Sequence, residues 1–159
     1  MKSSLVMVLA LVVPAAGLTA QHPSFAGNWT LDVAHSDAGP APLTSGSYMI
    51  VLHGDTMVVD RVLVSDAGPN TSHLVVAIDG KPWVNTVSSG GQSVQLTSVA
   101  SWAHDTLLVQ STGNMMGMDA TITDRWTRSA DGQSFTASRN IVADGQEVPG
   151  TRLVYIRKP

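Results

Sequence analysis

The sequence predicts an all-β fold, an antiparallel up-and-down β-barrel of about ten strands. Short runs of alternating apolar and polar residues, rich in Val and Thr, recur along the chain, and this period of two is typical of half-buried strands. The connections between the runs are short, and no run carries a helical period of useful length. Consecutive strands joined by short turns pair with one another, and an open sheet of this size would leave two exposed edges. We therefore expect closure into a barrel, with a two-sheet β-sandwich as the alternative.

The clearest hairpin lies at 118–141. Ile122 and Trp126 share one face of its first arm, and Asp131-Gly132 provides the residues that a tight turn prefers. The other strands are expected at 25–32, 48–52, 56–64, 72–78, 81–88, 93–102, 106–112 and 151–157.

Two connections stand out from the rest. Asp79-Gly80 is the strongest short hairpin signal in the sequence. Residues 34–47 contain Pro40 and Pro42, which disfavour a helix, so we expect an ordered surface loop there. This loop is the one connection long enough to hold a crossover.

The first twenty residues are predicted to be a secretory signal peptide. Lys2 gives a positive start, 5–13 form an unbroken apolar run, and small residues follow Pro14. We expect cleavage after Gly17 or Ala20. The chain has no cysteine, which excludes a lipid-modified cysteine anchor, and the protein is expected to be periplasmic or secreted. Residues 21–159 then form a single domain that is stable without disulfides.

Composition argues against several classes of partner. The net charge is −3 and no basic run occurs, so neither nucleic acid nor an anionic membrane surface is an expected partner. Integral membrane insertion of the mature chain is not expected either, and we predict a monomer.

Gly27-Asn28-Trp29 on the first strand resembles the opening G-x-W motif of the lipocalins. The wider pattern is similar to a group of small exported bacterial lipocalin-like proteins, of the calycin type. The matching segments are 25–32 (F-x-G-x-W-x-L-D), 36–42 (S-D-x-G-P-x-P), 105–109 (D-T-L-x-V), 124–136 (D-R-W-x-x-S-x-D-G-x-x-x-T) and 153–157 (L-V-Y-x-R).

The resemblance implies that Trp29 closes one end of the barrel beneath a basic side chain from the last strand. Arg152 and Arg157 are the two candidates for that side chain. The fatty-acid-binding relatives carry Arg-x-Tyr on their final strand, whereas this chain has Tyr155-Ile156-Arg157, so their anion site does not transfer by resemblance.

Two arginines fall on otherwise apolar strand faces. Arg139 shares a face with Phe135 and Ile141, and Arg61 shares one with Val59 and its neighbours. A guanidinium that points into a barrel must be paired or hydrated, because burying it alone is costly. Arg61 and Arg139, together with Tyr155, are therefore candidates for binding the anionic head of a ligand. The alternatives are a structural ion pair with Asp60 or Asp124, or a register that leaves both arginines in solvent.

The remaining candidate ligand-binding residues are apolar. Three tryptophans and one methionine could line a pocket, or could fill the core: Trp83, Trp102, Trp126 and Met118. No cofactor is expected.

Catalytic and metal signals are poor. The five histidines are scattered, with no H-x-H or H-x-x-E pair, and without cysteine there is no thiol nucleophile. The aspartates in turns are expected to bond their own backbone. We therefore predict a non-enzymatic protein that binds a small apolar or amphipathic molecule in the barrel lumen. The main alternative is a structural or interaction protein of the cell envelope whose barrel is filled by its own side chains. An enzyme that uses lumen Asp and Arg groups is a third, weaker hypothesis.

Overall fold

The computed structural model describes residues 22–89, 92–115 and 117–159, so the predicted signal peptide lies outside the described residues. The described chain forms ten strands and one short 3₁₀ turn at Val33–His35. The strands are β1 Gly27–Leu31, β2 Leu43–His53, β3 Thr56–Ser65, β4 Gly68–Ala77, β5 Trp83–Ser89, β6 Gln92–Ala103, β7 Thr106–Met115, β8 Met118–Arg128, β9 Ser134–Ala143 and β10 Gln146–Arg157. No helix among these residues has the length and hydropathy to cross a bilayer.

All ten strands belong to one antiparallel sheet in the order β4-β3-β2-β1-β10-β9-β8-β7-β6-β5. The sheet curves into a nearly closed barrel, which confirms the predicted fold class over the two-sheet alternative. Every ladder joins sequence neighbours except the one between β1 and β10, where Trp29 lies opposite Arg157. Apolar side chains alternate towards the interior, as the period-two pattern predicts.

The loop predicted at 34–47 is shorter than expected, because β2 begins at Leu43. It holds no crossover. After β1 ends, the connection continues along β10: Asp32 N–H donates to the Val154 carbonyl (2.8 Å), and Asp37 and Arg152 exchange two backbone hydrogen bonds of 2.7 Å each. The Ser36 hydroxyl accepts from the Val154 N–H at 2.9 Å. These bonds extend the pairing of the short β1 along β10.

The Asp79-Gly80 turn does not form the predicted hairpin, because β4 and β5 share no ladder and are the two edges of the sheet. Pro82 lacks the N–H that a ladder next to the turn would need. The buried Asn85 side chain on β5 bridges the gap by two hydrogen bonds to the backbone of Val75 on β4. Its carbonyl oxygen accepts from the Val75 N–H (2.7 Å), and its amide nitrogen donates to the Val75 carbonyl (2.9 Å).

One end of the barrel is closed by residues 22–26, which cross from β1 towards β6; we call it the closed end. Phe25 packs edge-on against Trp126 and Phe135, with ring centroids 5.7 and 5.6 Å apart. The indole N–H of Trp29 donates to the Phe25 carbonyl at 2.8 Å. The Arg157 guanidinium lies 4.8 Å from the Trp29 ring centroid and donates to the Ala26 carbonyl at 3.1 Å. The half of the barrel next to the closed end is therefore filled by aromatic side chains.

We predict that Asn85→Ala destabilises the fold by about 1–3 kcal/mol, because it leaves the half-buried Val75 N–H and carbonyl without their partners. Chemical denaturation of both variants measures the change. Asn28→Ala is the matched control, since Asn28 is exposed on β1, and it should change the free energy of unfolding by less than about 0.5 kcal/mol. Equal stabilities of the two variants would contradict a closing role for Asn85.

Candidate functional site

The half of the barrel away from the closed end contains a cavity of about 330 Å³. A second cavity of about 240 Å³ adjoins it beneath the β1–β2 connection. The two share six lining residues: Tyr48, Arg61, Leu63, Asp124, Arg139 and Ile141. Asn70 and Ser88, both exposed, line the first cavity where it reaches solvent. The size is at the small end of the range for ligand pockets.

A belt of polar side chains runs around the middle of the cavity wall. Residues that lie opposite one another in an antiparallel sheet share a face, and the register places Arg61 between Tyr48 and Ser72. On the other wall, Arg139 lies between Asp124 and Thr151. Between this belt and the mouth, most of the lining side chains are apolar: Leu63, Val87, Leu96, Met115, Ile122 and Ile141.

Arg139 is held by a carboxylate. Its Nε and Nη2 donate to the two oxygens of Asp124 at 2.7 and 2.8 Å, in the fork geometry that suits a guanidinium. Burial alone would lower the pKa of Arg139, but the charge and hydrogen bonds of Asp124 outweigh it, so the pKa is raised above its ordinary value. Arg139 therefore forms a structural ion pair with Asp124, which is one of the alternatives that the sequence analysis considered.

Arg61 has no such partner. Its Nε is buried without an acceptor in the described part of the chain, and no carboxylate there lies within ion-pair distance of its guanidinium. Asp60, the other carboxylate considered from the sequence, bonds His73 at 2.6 Å instead. With two guanidinium groups and one carboxylate, the belt carries a net positive charge.

Two further side-chain donors have no acceptor in hydrogen-bond geometry among the described residues. The Tyr155 hydroxyl and the Trp126 indole N–H are both buried. Burial raises the pKa of the Tyr155 hydroxyl and the adjacent Tyr48 adds to the rise, while the charges of Arg61 and Arg139 oppose it. The pKa is raised overall, so Tyr155 keeps its proton and can donate.

The structure brings together only part of the predicted binding set. Arg61, Arg139 and Trp126 line the first cavity, and Tyr155 is buried beside it, with its ring centroid 4.6 Å from that of Tyr48. Sequence reasoning missed Tyr48 and Ser111 as lining residues, although the alternation of β2 places Tyr48 on the inner face with Ile50.

Three predicted binding residues lie outside both cavities that Arg61 lines. Trp83 is 43% exposed, because it begins β5 beside the gap and has no β4 ladder next to it. Met118 is 42% exposed at the rim, where Met115 lines the cavity in its place. Trp102 belongs to the closed end and stacks on His22, with ring centroids 4.3 Å apart.

Of the two arginines considered for covering Trp29, the structure places Arg157 there. Arg152 points outwards and donates to the His35 carbonyl at 3.2 Å. The two differ because they have opposite parity on β10. A second cation, Arg128, lies 5.8 Å from the Trp29 ring centroid. No group of three or more His, Asp or Glu residues in the described ranges is arranged to hold a metal ion.

No known protein family matches the sequence, and no curated protein matches it. Among solved structures, secretory abundant heat soluble protein 4 from Ramazzottius varieornatus matches with a TM-score of 0.52 at 12% identity, over 84% of this chain and 94% of that one. A fatty acid binding protein of Schistosoma mansoni in complex with arachidonic acid matches with a TM-score of 0.49 at 14% identity, over 85% and 96%. At such identities the likeness concerns the fold alone, an antiparallel β-barrel.

The raised pKa of Tyr155 predicts a loss of stability in alkali. Above about pH 10 the unfolded chain releases the phenol proton while the folded protein retains it, so the free energy of unfolding falls as pH rises. Below that pH the phenol is protonated in both states, so its contribution to the free energy of unfolding does not change with pH. In Tyr155→Phe the fall should be shallower by about 1.4 kcal/mol per pH unit. Denaturation at a series of alkaline pH values measures both slopes, and equal slopes would contradict the assignment.

Proposed function

We propose that this protein is an exported, monomeric and non-enzymatic carrier that reversibly binds a small amphipathic molecule with an anionic head. The observation that carries the proposal is Arg61, a guanidinium at the cavity wall without a carboxylate partner in the described chain. A ligand in the cavity would remove this half-buried guanidinium from water, and an anionic head would offset that cost.

The arrangement of the cavity supports one orientation of the ligand. The anionic head would lie at the belt, where the Arg61 guanidinium can donate to it. The apolar part would extend towards the mouth along the apolar wall that includes Leu63, Ile122 and Ile141. Apolar burial would supply affinity, and the polar belt would fix the orientation.

Arg139 and Asp124 would take a supporting part in this binding. Both carboxylate oxygens of Asp124 are engaged by Arg139, so the pair leaves one positive charge, that of Arg61, for the ligand. A monoanion would make the belt neutral, whereas a dianion would leave an excess negative charge. The same engagement of Asp124 is our reason for proposing a carrier rather than an enzyme, since a carboxylate held by two hydrogen bonds is poorly placed for proton transfer.

The packed closed end supports part of the alternative, a barrel filled by its own side chains. Native mass spectrometry of protein purified without denaturation, before and after organic extraction, separates the two. A defined adduct that is lost on extraction supports the carrier and gives the ligand class. Bare protein under both conditions, with no stabilisation by added amphiphiles, would favour the filled-barrel interaction protein.

We predict that the native protein binds decanoate at least tenfold more tightly than decanol, and that Arg61→Gln lowers the affinity for decanoate about tenfold or more. Hydrogen bonds to a charged group contribute about 1.5–3 kcal/mol, and 1.4 kcal/mol is a factor of ten. Titration calorimetry measures these affinities. The free energy of unfolding of the ligand-free variant should not fall, because Arg61 has no partner to lose.

Arg125→Gln is the matched control for this experiment. Arg125 is exposed on the outer face of β8, so its removal changes the net charge equally without touching the cavity. Equal affinities of the Arg61 and Arg125 variants for decanoate would contradict the proposed anchor.

Export is proposed on the charged start and the apolar run at 5–13. Expression of the full chain in a secreting host should yield a product whose intact mass begins after Gly17 or Ala20. A variant without 5–13 should keep its N-terminus and stay inside the cell. An uncleaved full-length product in the cytoplasm would contradict the proposal.

A further inference from the structure

A chain of three buried polar side chains leads from the β4–β5 gap to the cavity. The Asn85 amide donates to the Ser98 hydroxyl at 3.1 Å, and the Ser98 and Ser111 hydroxyl oxygens lie 2.8 Å apart. The three residues are 4%, 0% and 5% exposed. Ser111 lines the cavity, whereas Asn85 and Ser98 do not.

The direction of hydrogen bonding along this chain is fixed by the backbone of Val75. Its N–H can only donate and its carbonyl can only accept, so the Asn85 oxygen faces the first and the Asn85 nitrogen faces the second. The second hydrogen of the Asn85 nitrogen therefore points at Ser98. An amide hydrogen cannot accept, so the Ser98 hydroxyl must donate elsewhere.

Ser111 is the one acceptor within hydrogen-bond distance of the Ser98 hydroxyl in the described chain. Leaving a fully buried hydroxyl without an acceptor would cost about 1–3 kcal/mol, so Ser98 donates to Ser111. The hydroxyl hydrogen of Ser111 then has no acceptor among the described residues, and it faces the cavity.

We infer that Ser111 is a second ligand-binding point, a hydrogen-bond donor for an oxygen on the body of the ligand, apart from the anionic head at Arg61. This inference rests on the proposed function and narrows its ligand class to oxygenated amphipathic acids, with a carbonyl, ether or hydroxyl oxygen along the apolar part. Asn85 and Ser98 are positioning residues, because they orient the Ser111 hydroxyl without contacting the ligand.

The wall around Ser111 explains why such an oxygen would be selected. Its neighbours on the inner surface include Leu96 and Ile122, both buried and apolar. A donor flanked by apolar side chains favours a ligand that places an acceptor beside it, and it disfavours a ligand that covers the donor with hydrocarbon.

The test compares decanoate with a set of oxodecanoates whose carbonyl stands at successive chain positions, by titration calorimetry. At least one oxodecanoate should bind the native protein about tenfold more tightly than decanoate. In Ser111→Ala the ratio of the two affinities should fall to about one. In Ser98→Ala the ratio should fall part of the way, because the Ser111 hydroxyl loses its fixed orientation. A merely structural role for Ser111 would weaken both ligands alike and leave the ratio unchanged.

Ser101→Ala is the matched control, since Ser101 is exposed on β6, and it should keep the native ratio. If decanoate binds but no oxodecanoate is preferred, or the preference survives in Ser111→Ala, the Ser111 inference is overturned and the carrier stands. If neither decanoate nor any oxodecanoate binds the native protein, the carrier itself is overturned and the inference with it.

Discussion

The interior of this barrel depends on how its closed end is held. Residues 24–26 cross that end, and each of their carbonyls accepts a hydrogen bond from a side chain that is itself anchored elsewhere: Arg128 for Ser24, the Trp29 indole for Phe25, and Arg157 for Ala26. Two of these donors are cations that lie over the Trp29 ring. The Phe25 side chain of this segment lies in the core, where it packs against Trp126 of β8 and Phe135 of β9. Because the aromatic packing fills this half, the cavity lined by Arg61 lies towards the opposite end of the barrel.

The polar belt marks the boundary between the packed half and the open half. Its two arginines are chemically alike and differ in their cross-strand neighbours, since Arg139 has the carboxylate of Asp124 beside it and Arg61 has only Tyr48 and Ser72. The Arg139 guanidinium therefore has a structural role, whereas that of Arg61 has a donor without an acceptor in the described chain. This asymmetry arises from strand register alone, since a shift of one residue would turn either arginine to the outer face. Binding capacity and fold are thus determined by the same ladders.

Much of this arrangement is predictable from the sequence. The period of two places Arg61 and Arg139 on inner faces, and the turn at Asp131-Gly132 forms as its residues indicate, with Gly132 at a φ of +69°. The order of strands at the gap is not predictable from turn chemistry, because Asp79-Gly80 has good hairpin residues and yet connects two edges. Asn85 spans the gap by bonding Val75, ten residues away on another strand, and this contact has no local signature in the sequence. Parity is also insufficient at strand ends. Trp83 and Trp102 have the parity of inner residues, but Trp83 begins β5 beside the gap and Trp102 packs at the closed end.

The position of the gap has a consequence for how the chain assembles. The edges of the sheet, β4 and β5, come from the middle of the chain, whereas β1 and β10 meet in the middle of the sheet. A circularly permuted chain, with β10 linked to β1 and opened at 79–81, would be a plain meander in which all ladders join sequence neighbours. The natural connectivity instead requires one ladder to form across nearly the whole described chain, which carries a larger loop-closure entropy and slows folding. The permuted and natural chains would share one final shape, so the order of connections governs the rate of folding rather than the architecture it reaches.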